Sequence, residues 1–155
     1  MKQTFRFSFY LILLTLSNCI GAGTHGSLER YQFPIPKDSL QSVINEVIHS
    51  TPNIYRDTTE SDVYMDNYYR DRINYETIYI ETEADLVKII FRYYGDETDW
   101  KKSSNSEIFI CYAYDKSGRG GSEGMENISD TTQTRLVEVF NEEFIKEVNK
   151  VALQK

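Results

Sequence analysis

The sequence predicts an α+β domain over residues 28–155, in which helices pack on one face of an antiparallel sheet. Apolar residues recur at helical spacing in one segment near its start and in another at its end. Three runs of alternating apolar residues lie close together between these segments, which is typical of a meander. Neither an internal repeat nor a shift in composition divides the segment, so we expect a single domain.

A short strand and an amphipathic helix open the domain. Leu28–Ile35 has the alternation of a first strand, and Pro34 and Pro36 end it because proline cannot donate a hydrogen bond to a sheet. Thr51-Pro52 marks the end of the helix that follows. The apolar stripe of this helix has the spacing i, i+3, i+4, i+7 and i+8, and comprises Leu40, Val43, Ile44, Val47 and Ile48.

The segment Asn53–Arg72 shows no sustained period and mixes charged residues with tyrosines. A loop of this length inside a compact domain is either functional or partly disordered. Its tyrosines could cover one face of the sheet or take part in binding, and the sequence leaves both interpretations open.

Three strands are predicted next, over Asn74–Glu81, Leu86–Tyr94 and Glu107–Tyr114. The second carries Lys88 and Arg92 on one face, which should therefore be partly wet. The third has apolar residues on both faces, so we expect it to be a central strand. Simple alternation places Ile108, Ile110, Tyr112 and Tyr114 on one face of this strand and Phe109, Cys111 and Ala113 on the other.

Two polar connections could be mistaken for chemical sites. Asp96, Glu97 and Asp99 crowd one part of Gly95–Ser106, but acid–base catalysis needs environments that separate two pKa values, so we expect a solvated hairpin connection. Asp115–Glu126 is rich in glycine, yet it lacks the Gly-Lys-Ser/Thr ending of a phosphate loop and the acidic ligands of a calcium loop. We expect a flexible or tightly turned connection there.

Ser129–Lys155 is predicted to be the second helix, capped by Asp130 or Thr131. Its apolar stripe comprises Leu136, Val137, Phe140, Phe144, Val148 and Val151. The predicted order is therefore a short N-terminal strand, an amphipathic helix, a three-stranded antiparallel meander and a C-terminal helix, with the helices on one sheet face.

The segment before the domain has the parts of an export signal. Lys2 and Arg6 supply a positive start, and Phe7–Leu16 is an apolar run broken only by two hydroxyl residues. A transmembrane helix needs about 20 apolar residues, so this run is too short to be one.

Leu16-Ser17-Asn18-Cys19 resembles the lipobox of bacterial lipoproteins, in the looser form found in Bacteroidota. Asn18 departs from the usual small residue before the cysteine. The resemblance implies that residues 1–18 are a signal peptide, that the sulfur of Cys19 carries lipid, and that this lipid holds the protein in the outer membrane.

Residues 19–27 then form a flexible tether of small residues. In lipoproteins of this type, acidic residues just after the cysteine direct the protein to the cell surface. The first acidic residue here is Glu29, so the resemblance implies a protein that faces the periplasm. Cleavage after Ala22 by an ordinary signal peptidase would instead give a secreted or soluble periplasmic protein.

The charge balance is acidic, with 17 basic and 24 acidic residues and a net charge of -7. Nucleic acid is a poor partner for such a chain, because phosphate backbones are bound by clustered Lys and Arg. A polybasic membrane patch is also missing from the sequence, so membrane attachment would depend on the lipid. A basic protein partner remains open.

The residue types do not favour the common enzyme chemistries. Cys111 would need a base and an orienting group to act as a nucleophile, and the chain contains only His25 and His49. Two separated histidines do not predict a zinc site, so we expect neither a metal nor a cofactor. With Cys19 acylated, Cys111 has no partner for an intramolecular disulfide.

Aromatic residues make up 14% of the chain and point to recognition. Trp100 is the only tryptophan, and it either folds back onto the sheet or serves as an exposed anchor for a partner. We predict that Tyr93, Tyr94 and Trp100 form the centre of a partner-binding surface.

The predicted function is that of a lipid-anchored, periplasm-facing, non-enzymatic module that binds another protein as an adaptor of an envelope complex. One alternative is a periplasmic immunity protein that neutralises a basic toxin. Another is a hydrolase with carboxylates that the sequence does not reveal. A pocket gathering Asp115, Glu123 or His25 would favour the hydrolase, whereas a flat face rich in tyrosine would favour the binding module.

Overall fold

The computed structural model describes residues 27–56, 75–122 and 129–154. The signal segment, Cys19, His25, Glu123 and most of the predicted loop Asn53–Arg72 lie outside the described residues. The elements in chain order are β1 (Arg30–Phe33), α1 (Lys37–Ser50), β2 (Ile54–Arg56), β3 (Tyr75–Glu81), β4 (Leu86–Tyr93), α2 (Glu97–Lys102), β5 (Ser106–Tyr114), β6 (Gly120–Gly121), α3 (Asp130–Val139), a π-helical segment (Phe140–Ile145) and α4 (Lys146–Ala152).

The strands form one sheet in the order β1-β5-β4-β3-β2, and every neighbouring pair is antiparallel. Strand β6 pairs with the end of β5 that β1 leaves uncovered. The fold class is therefore α+β, as predicted, with the β3-β4-β5 meander at its centre. Strands β2 and β6 were not predicted, and β2 occupies the start of the segment expected to be a loop.

The helices pack on one face of the sheet around a single apolar core. Alternate residues of the strands enter this core, because successive side chains of a strand point to opposite faces. Burial of each large apolar side chain contributes about 1.5–3 kcal/mol. We call α3, the π-helical segment and α4 together the C-terminal run. The core includes Leu40, Val43, Ile44 and Val47 of α1, Ile78, Ile80, Val87, Ile89, Phe91, Ile108 and Ile110 of the sheet, and Leu136, Phe140, Phe144 and Val148 of the C-terminal run.

The C-terminal run changes from α to π geometry and back without interruption. Its most deeply buried residues, Leu136, Phe140, Phe144 and Val148, recur every four positions, whereas an α-helix turns about every 3.6 residues. A stripe at strict four-residue spacing would drift around an α-helix. The wider turns of the π segment offset this drift and keep the four side chains against the sheet.

Ser129 caps this run, because its hydroxyl accepts a hydrogen bond from the backbone N–H of Thr132 at 3.2 Å. The prediction that Asp130 or Thr131 is the cap was therefore wrong by one or two positions. Within the described residues, no helix combines the length and apolar character that crossing a bilayer requires.

Helix α2 replaces the hairpin turn that we expected between Gly95 and Ser106. The carboxylate of Asp96 accepts hydrogen bonds from the backbone N–H groups of Thr98 at 2.7 Å and Asp99 at 3.2 Å. The carboxylate of Asp99 accepts in return from the backbone N–H of Asp96 at 3.3 Å. This reciprocal pair is a capping box, so the acidic cluster has the role of starting a helix.

A β-bulge in β5 changes which of its side chains enter the core. Ile90 pairs with Tyr112 and Phe91 pairs with Ile110, so Cys111 has no opposite residue on β4. Beyond this point Ala113 lies on the core face, and Tyr112 and Tyr114 lie on the opposite face. The prediction that Tyr112 and Tyr114 share a face with Ile108 and Ile110 was therefore wrong.

Candidate functional site

The sheet face opposite α1, α3 and α4 carries most of the aromatic and cationic side chains of the described strands. We call it the open face. None of its side chains belongs to the core that the helices form with the sheet. The strand registers place on it Arg30, Gln32, Tyr55, Tyr75, Thr77, Tyr79, Glu81, Leu86, Lys88, Ile90, Arg92, Glu107, Phe109, Tyr112 and Tyr114, and Tyr94 extends it past the end of β4.

Two pairs of parallel tyrosine rings lie on the open face. Tyr55 and Tyr79 are cross-strand neighbours whose ring centroids lie 5.5 Å apart at an interplanar angle of 13°. Tyr112 and Tyr114 follow each other on the same side of β5, with centroids 6.3 Å apart and an angle of 6°. Stacking holds these rings in fixed orientations, so a partner that covers them meets a preformed aromatic surface.

Phe109 lies between two arginines on the strands that flank β5. The guanidinium carbon of Arg92 is 4.0 Å from the centroid of the Phe109 ring, and that of Arg30 is 5.9 Å away. Both arginines are cross-strand neighbours of Phe109, which accounts for the arrangement. Such cation–π contacts contribute about 0.5–2 kcal/mol each, and Phe109 is buried beneath them.

The cations of the open face are only partly matched by carboxylates. Arg30 Nε lies 2.9 Å from Glu107 Oε1, but no donor among the described residues forms a hydrogen bond with that oxygen. Lys88 Nζ lies 5.6 Å from the centroid of the Tyr79 ring. Among the described residues, no carboxylate reaches Lys88 or Arg92 within ion-pair distance, and Arg92 Nε has no acceptor.

A groove of about 550 Å³ adjoins the open face where β1, α2 and the start of β5 meet. It brings together Tyr94 and Trp100, two of the three residues predicted to bind a partner. The indole Nε1 of Trp100 donates a hydrogen bond to the carbonyl oxygen of Tyr94 at 2.7 Å. The remaining lining residues are Gln32, Phe33, Pro34, Asp99, Ser103, Asn105, Ser106 and Glu107.

Tyr93, the third predicted residue, points away from this groove. It is 1% exposed and belongs to the core on the helix side, since adjacent residues of a strand face opposite sides. Burial raises the pKa of Tyr93, and its hydroxyl has no hydrogen-bond partner in the part of the chain that the structure describes. Tyr94 is 51% exposed, so it is the member of this pair that a partner can contact.

Trp100 folds partly back onto the core and is held there by Lys37. The ammonium of Lys37 lies 4.4 Å from the Trp100 ring centroid and 5.3 Å from that of Tyr93. Lys37 Nζ also donates to Gln41 Oε1 at 3.0 Å. Trp100 therefore presents one part of its ring to the groove and packs the rest against the core.

The carboxylate of Asp115 is fully engaged by its own turn, between β5 and β6. It accepts from Ser117 Oγ at 2.6 Å and from Arg119 Nε at 2.9 Å, and Arg135 Nη2 lies 3.5 Å away. The hydrogen bond from Ser117, together with those from Arg119, holds the pKa of Asp115 well below its usual range. The start of the glycine-rich segment is thus a tight hairpin turn, as one of the two predicted alternatives stated.

Cys111 is buried in β5, whereas His49 is exposed on α1. Burial raises the pKa of the Cys111 thiol to about 12, although the nearby Arg92 acts in the opposite direction. His49 is exposed on α1, where its Nδ1 lies 2.6 Å from the carbonyl oxygen of Asn45. Within the described ranges, no three His, Cys, Asp or Glu side chains come together as a metal site would require.

Comparison with known proteins adds no family to these observations. No family model, no curated protein and no solved structure matches the chain.

Proposed function

We propose that the protein is a lipid-anchored, periplasm-facing lipoprotein of the outer membrane, which binds another protein through its open face as a non-enzymatic adaptor. The observation that carries this proposal is the row of tyrosines across the open face, of which Tyr55 and Tyr94 are the most exposed. A surface of this kind marks an interaction site, because a complex gains free energy when a partner buries large aromatic rings.

The shape and composition of the open face suit a protein better than a small molecule. Small-molecule sites are concave and enclose most of the ligand, whereas this surface is the face of a sheet. Tyrosine offers a large contact area at a low cost in conformational entropy, which explains its enrichment at interfaces. Arginine, present at positions 30 and 92, shares that enrichment.

The membrane anchor is proposed from the sequence motif that ends at Cys19. The apolar run before it is too short to span a bilayer, and the motif resembles a lipobox. A single acyl chain gives only marginal attachment, so an anchored lipoprotein carries more than one.

Site-specific photo-crosslinking in intact cells tests the binding proposal. A photoreactive residue is placed in the full chain at Tyr112 or at Tyr55 on the open face, and at Glu138 on the exposed side of α3 as the matched control. We expect one discrete protein adduct from the open-face positions and none from Glu138. The adducted protein, once purified, must also bind the purified full chain. Adducts from all three positions alike, or from none, would overturn the proposal.

Fractionation tests the anchor separately. We expect wild type and Cys111→Ala in the membrane fraction, where both incorporate a clickable palmitate analogue, and Cys19→Ala in the soluble fraction without label. A Cys19→Ala chain that stays in the membrane would show that lipid on this cysteine is not the anchor.

A further inference from the structure

The open face has a charge opposite to that of the chain as a whole. Its described residues include the three cations Arg30, Lys88 and Arg92 and the two carboxylates Glu81 and Glu107. The complete chain has 24 acidic and 17 basic residues. Acidic side chains are therefore abundant in this protein, yet Lys88 and Arg92 have no carboxylate partner among the described residues.

These two unmatched cations restrict what can cover the open face. A partner that buries a charge without compensating it must overcome the cost of removing that charge from water. A partner that supplies a carboxylate at each position replaces the lost hydration with an ion pair. A basic partner, such as the toxin of an immunity complex, would instead add like charges to this face.

The spacing of the cations defines the shape of the complementary segment. Lys88 and Arg92 lie four residues apart on the same side of β4 and are therefore separated by about 13 Å. An extended peptide has the same period, so two of its acidic residues four positions apart match this distance. Tyr112 lies beside the buried Ile90, midway between the two cations, and its partly exposed ring offers apolar contact to the residue between the two acids.

We infer that the open face recognises an extended acidic segment of a partner protein, in which two carboxylates spaced four residues apart pair with Lys88 and Arg92. This inference rests on the proposed binding function and names the chemistry of its partner.

Peptide selection on the purified full chain in detergent micelles tests the inference. The probe is a display library of random 12-residue peptides without charge bias. Binding of the selected peptides is then measured for wild type, for Lys88→Gln with Arg92→Gln, and for Lys146→Gln with Lys150→Gln. The last variant removes the same charge from exposed positions of the C-terminal run and is the matched control.

We expect the selected peptides to be enriched in Asp or Glu pairs four residues apart. Their dissociation constants should rise about tenfold in the open-face variant and stay unchanged in the control, since two exposed ion pairs are lost. Added salt should weaken binding to wild type. Selection of neutral or basic peptides, or equal affinity of both variants, would overturn the inference.

Two further measurements separate the inference from the binding proposal. Selected peptides that are not acidic but compete with crosslinking at Tyr112 would overturn the charge assignment alone, whereas a folded chain that selects no peptide and forms no adduct would overturn both. The second measurement compares binding of the chain to vesicles with and without anionic phospholipid. Binding to anionic vesicles that depends on Lys88 and Arg92 and displaces the peptides would assign the surface to a membrane and contradict the inference.

Discussion

Arg135 of α3 donates from its Nη1 to Oδ2 of Asp85, in the turn between β3 and β4, over 2.6 Å. Its second terminal nitrogen lies 3.5 Å from Asp115 Oδ2, in the turn after β5. One guanidinium thus connects the C-terminal run to two turns at one end of the sheet.

Replacement of Asp115 by Asn is expected to destabilise the fold. The side chain of Asp115 is 1% exposed, and its carboxylate accepts charge-assisted hydrogen bonds that an amide cannot all reproduce. We expect a loss of about 2–3 kcal/mol in the free energy of unfolding, measured by urea titration. Asp38→Asn, at a side chain that is 94% exposed, should change it by less than about 0.5 kcal/mol. Equal effects of the two changes would contradict this role of Asp115.

The same turn predicts a loss of stability in acid. Hydrogen bonds to Asp115 lower its pKa, and those from Arg135, Lys116 and Leu86 outweigh burial and lower the pKa of Asp85. A carboxyl whose pKa is lower in the folded state stabilises the fold fully above its ordinary pKa of about 3.9, and less as the pH falls below that value. The free energy of unfolding should therefore decline below about pH 4. The decline in the free energy of unfolding should be shallower in Asp115→Asn. An unchanged dependence on pH would contradict the role of Asp115 in this loss of stability.

Trp100 provides a spectroscopic test of the contact with Lys37, since it is the only tryptophan. Lys37→Met keeps the length of the side chain and removes the cation that lies over the indole. We expect a red shift of the emission, easier quenching by acrylamide, and a loss of about 1 kcal/mol in the free energy of unfolding. Lys101→Met, at a side chain that is 78% exposed, is the control and should leave the emission unchanged.

The thiol of Cys111 should be unreactive in the folded protein. Its side chain is buried in β5, and its pKa of about 12 leaves almost no thiolate at neutral pH. In Cys19→Ala, where Cys111 is the remaining cysteine, we expect reaction with a maleimide only as fast as the chain unfolds. The rate should rise with urea in step with the unfolding transition. Rapid modification without denaturant would show that Cys111 is accessible.

Gly120 should tolerate substitution less well than Gly118. A Cβ at Gly120 would lie 2.0 Å from the carbonyl oxygen of Ala113, and the backbone φ of +139° is unsuited to other residues. At Gly118 the φ of +77° is also left-handed, but a Cβ would meet nothing within 4 Å. We expect Gly118→Ala to cost about 1–2 kcal/mol and Gly120→Ala about 3 kcal/mol or more in thermal unfolding. The reverse order would show that β6 does not need the close approach of Gly120 to the carbonyl oxygen of Ala113.

The sequence predicted those elements in which periodicity is strong. The apolar stripe of α1 and the alternation of β3 and β4 are visible in the residues themselves, and the structure confirms them. Helix α2 has no buried residue and hence no stripe, so its only sign was the pair of aspartates in the capping box. The bulge in β5 could not be predicted from alternation, because apolar residues occupy both sides of that strand.

The candidate site was predictable in part. Tyr94 and Trp100 come together across a short connection, whereas adjacent residues such as Tyr93 and Tyr94 cannot share a face of a strand. The contact of Arg30 with Phe109 depends on the pairing of β1 with β5, residues that are far apart in the chain. Such pairings follow from topology, which a single sequence does not specify.

The bulge at Cys111 decides which face of the sheet each of the following side chains of β5 occupies. Without the bulge, simple alternation along the same residues would turn the rings of Tyr112 and Tyr114 toward the helices and Ala113 toward solvent. The same side chains would then form a different surface. The bulge therefore absorbs one residue, and a chain without Cys111 would keep Tyr112 and Tyr114 on the open face with a regular ladder.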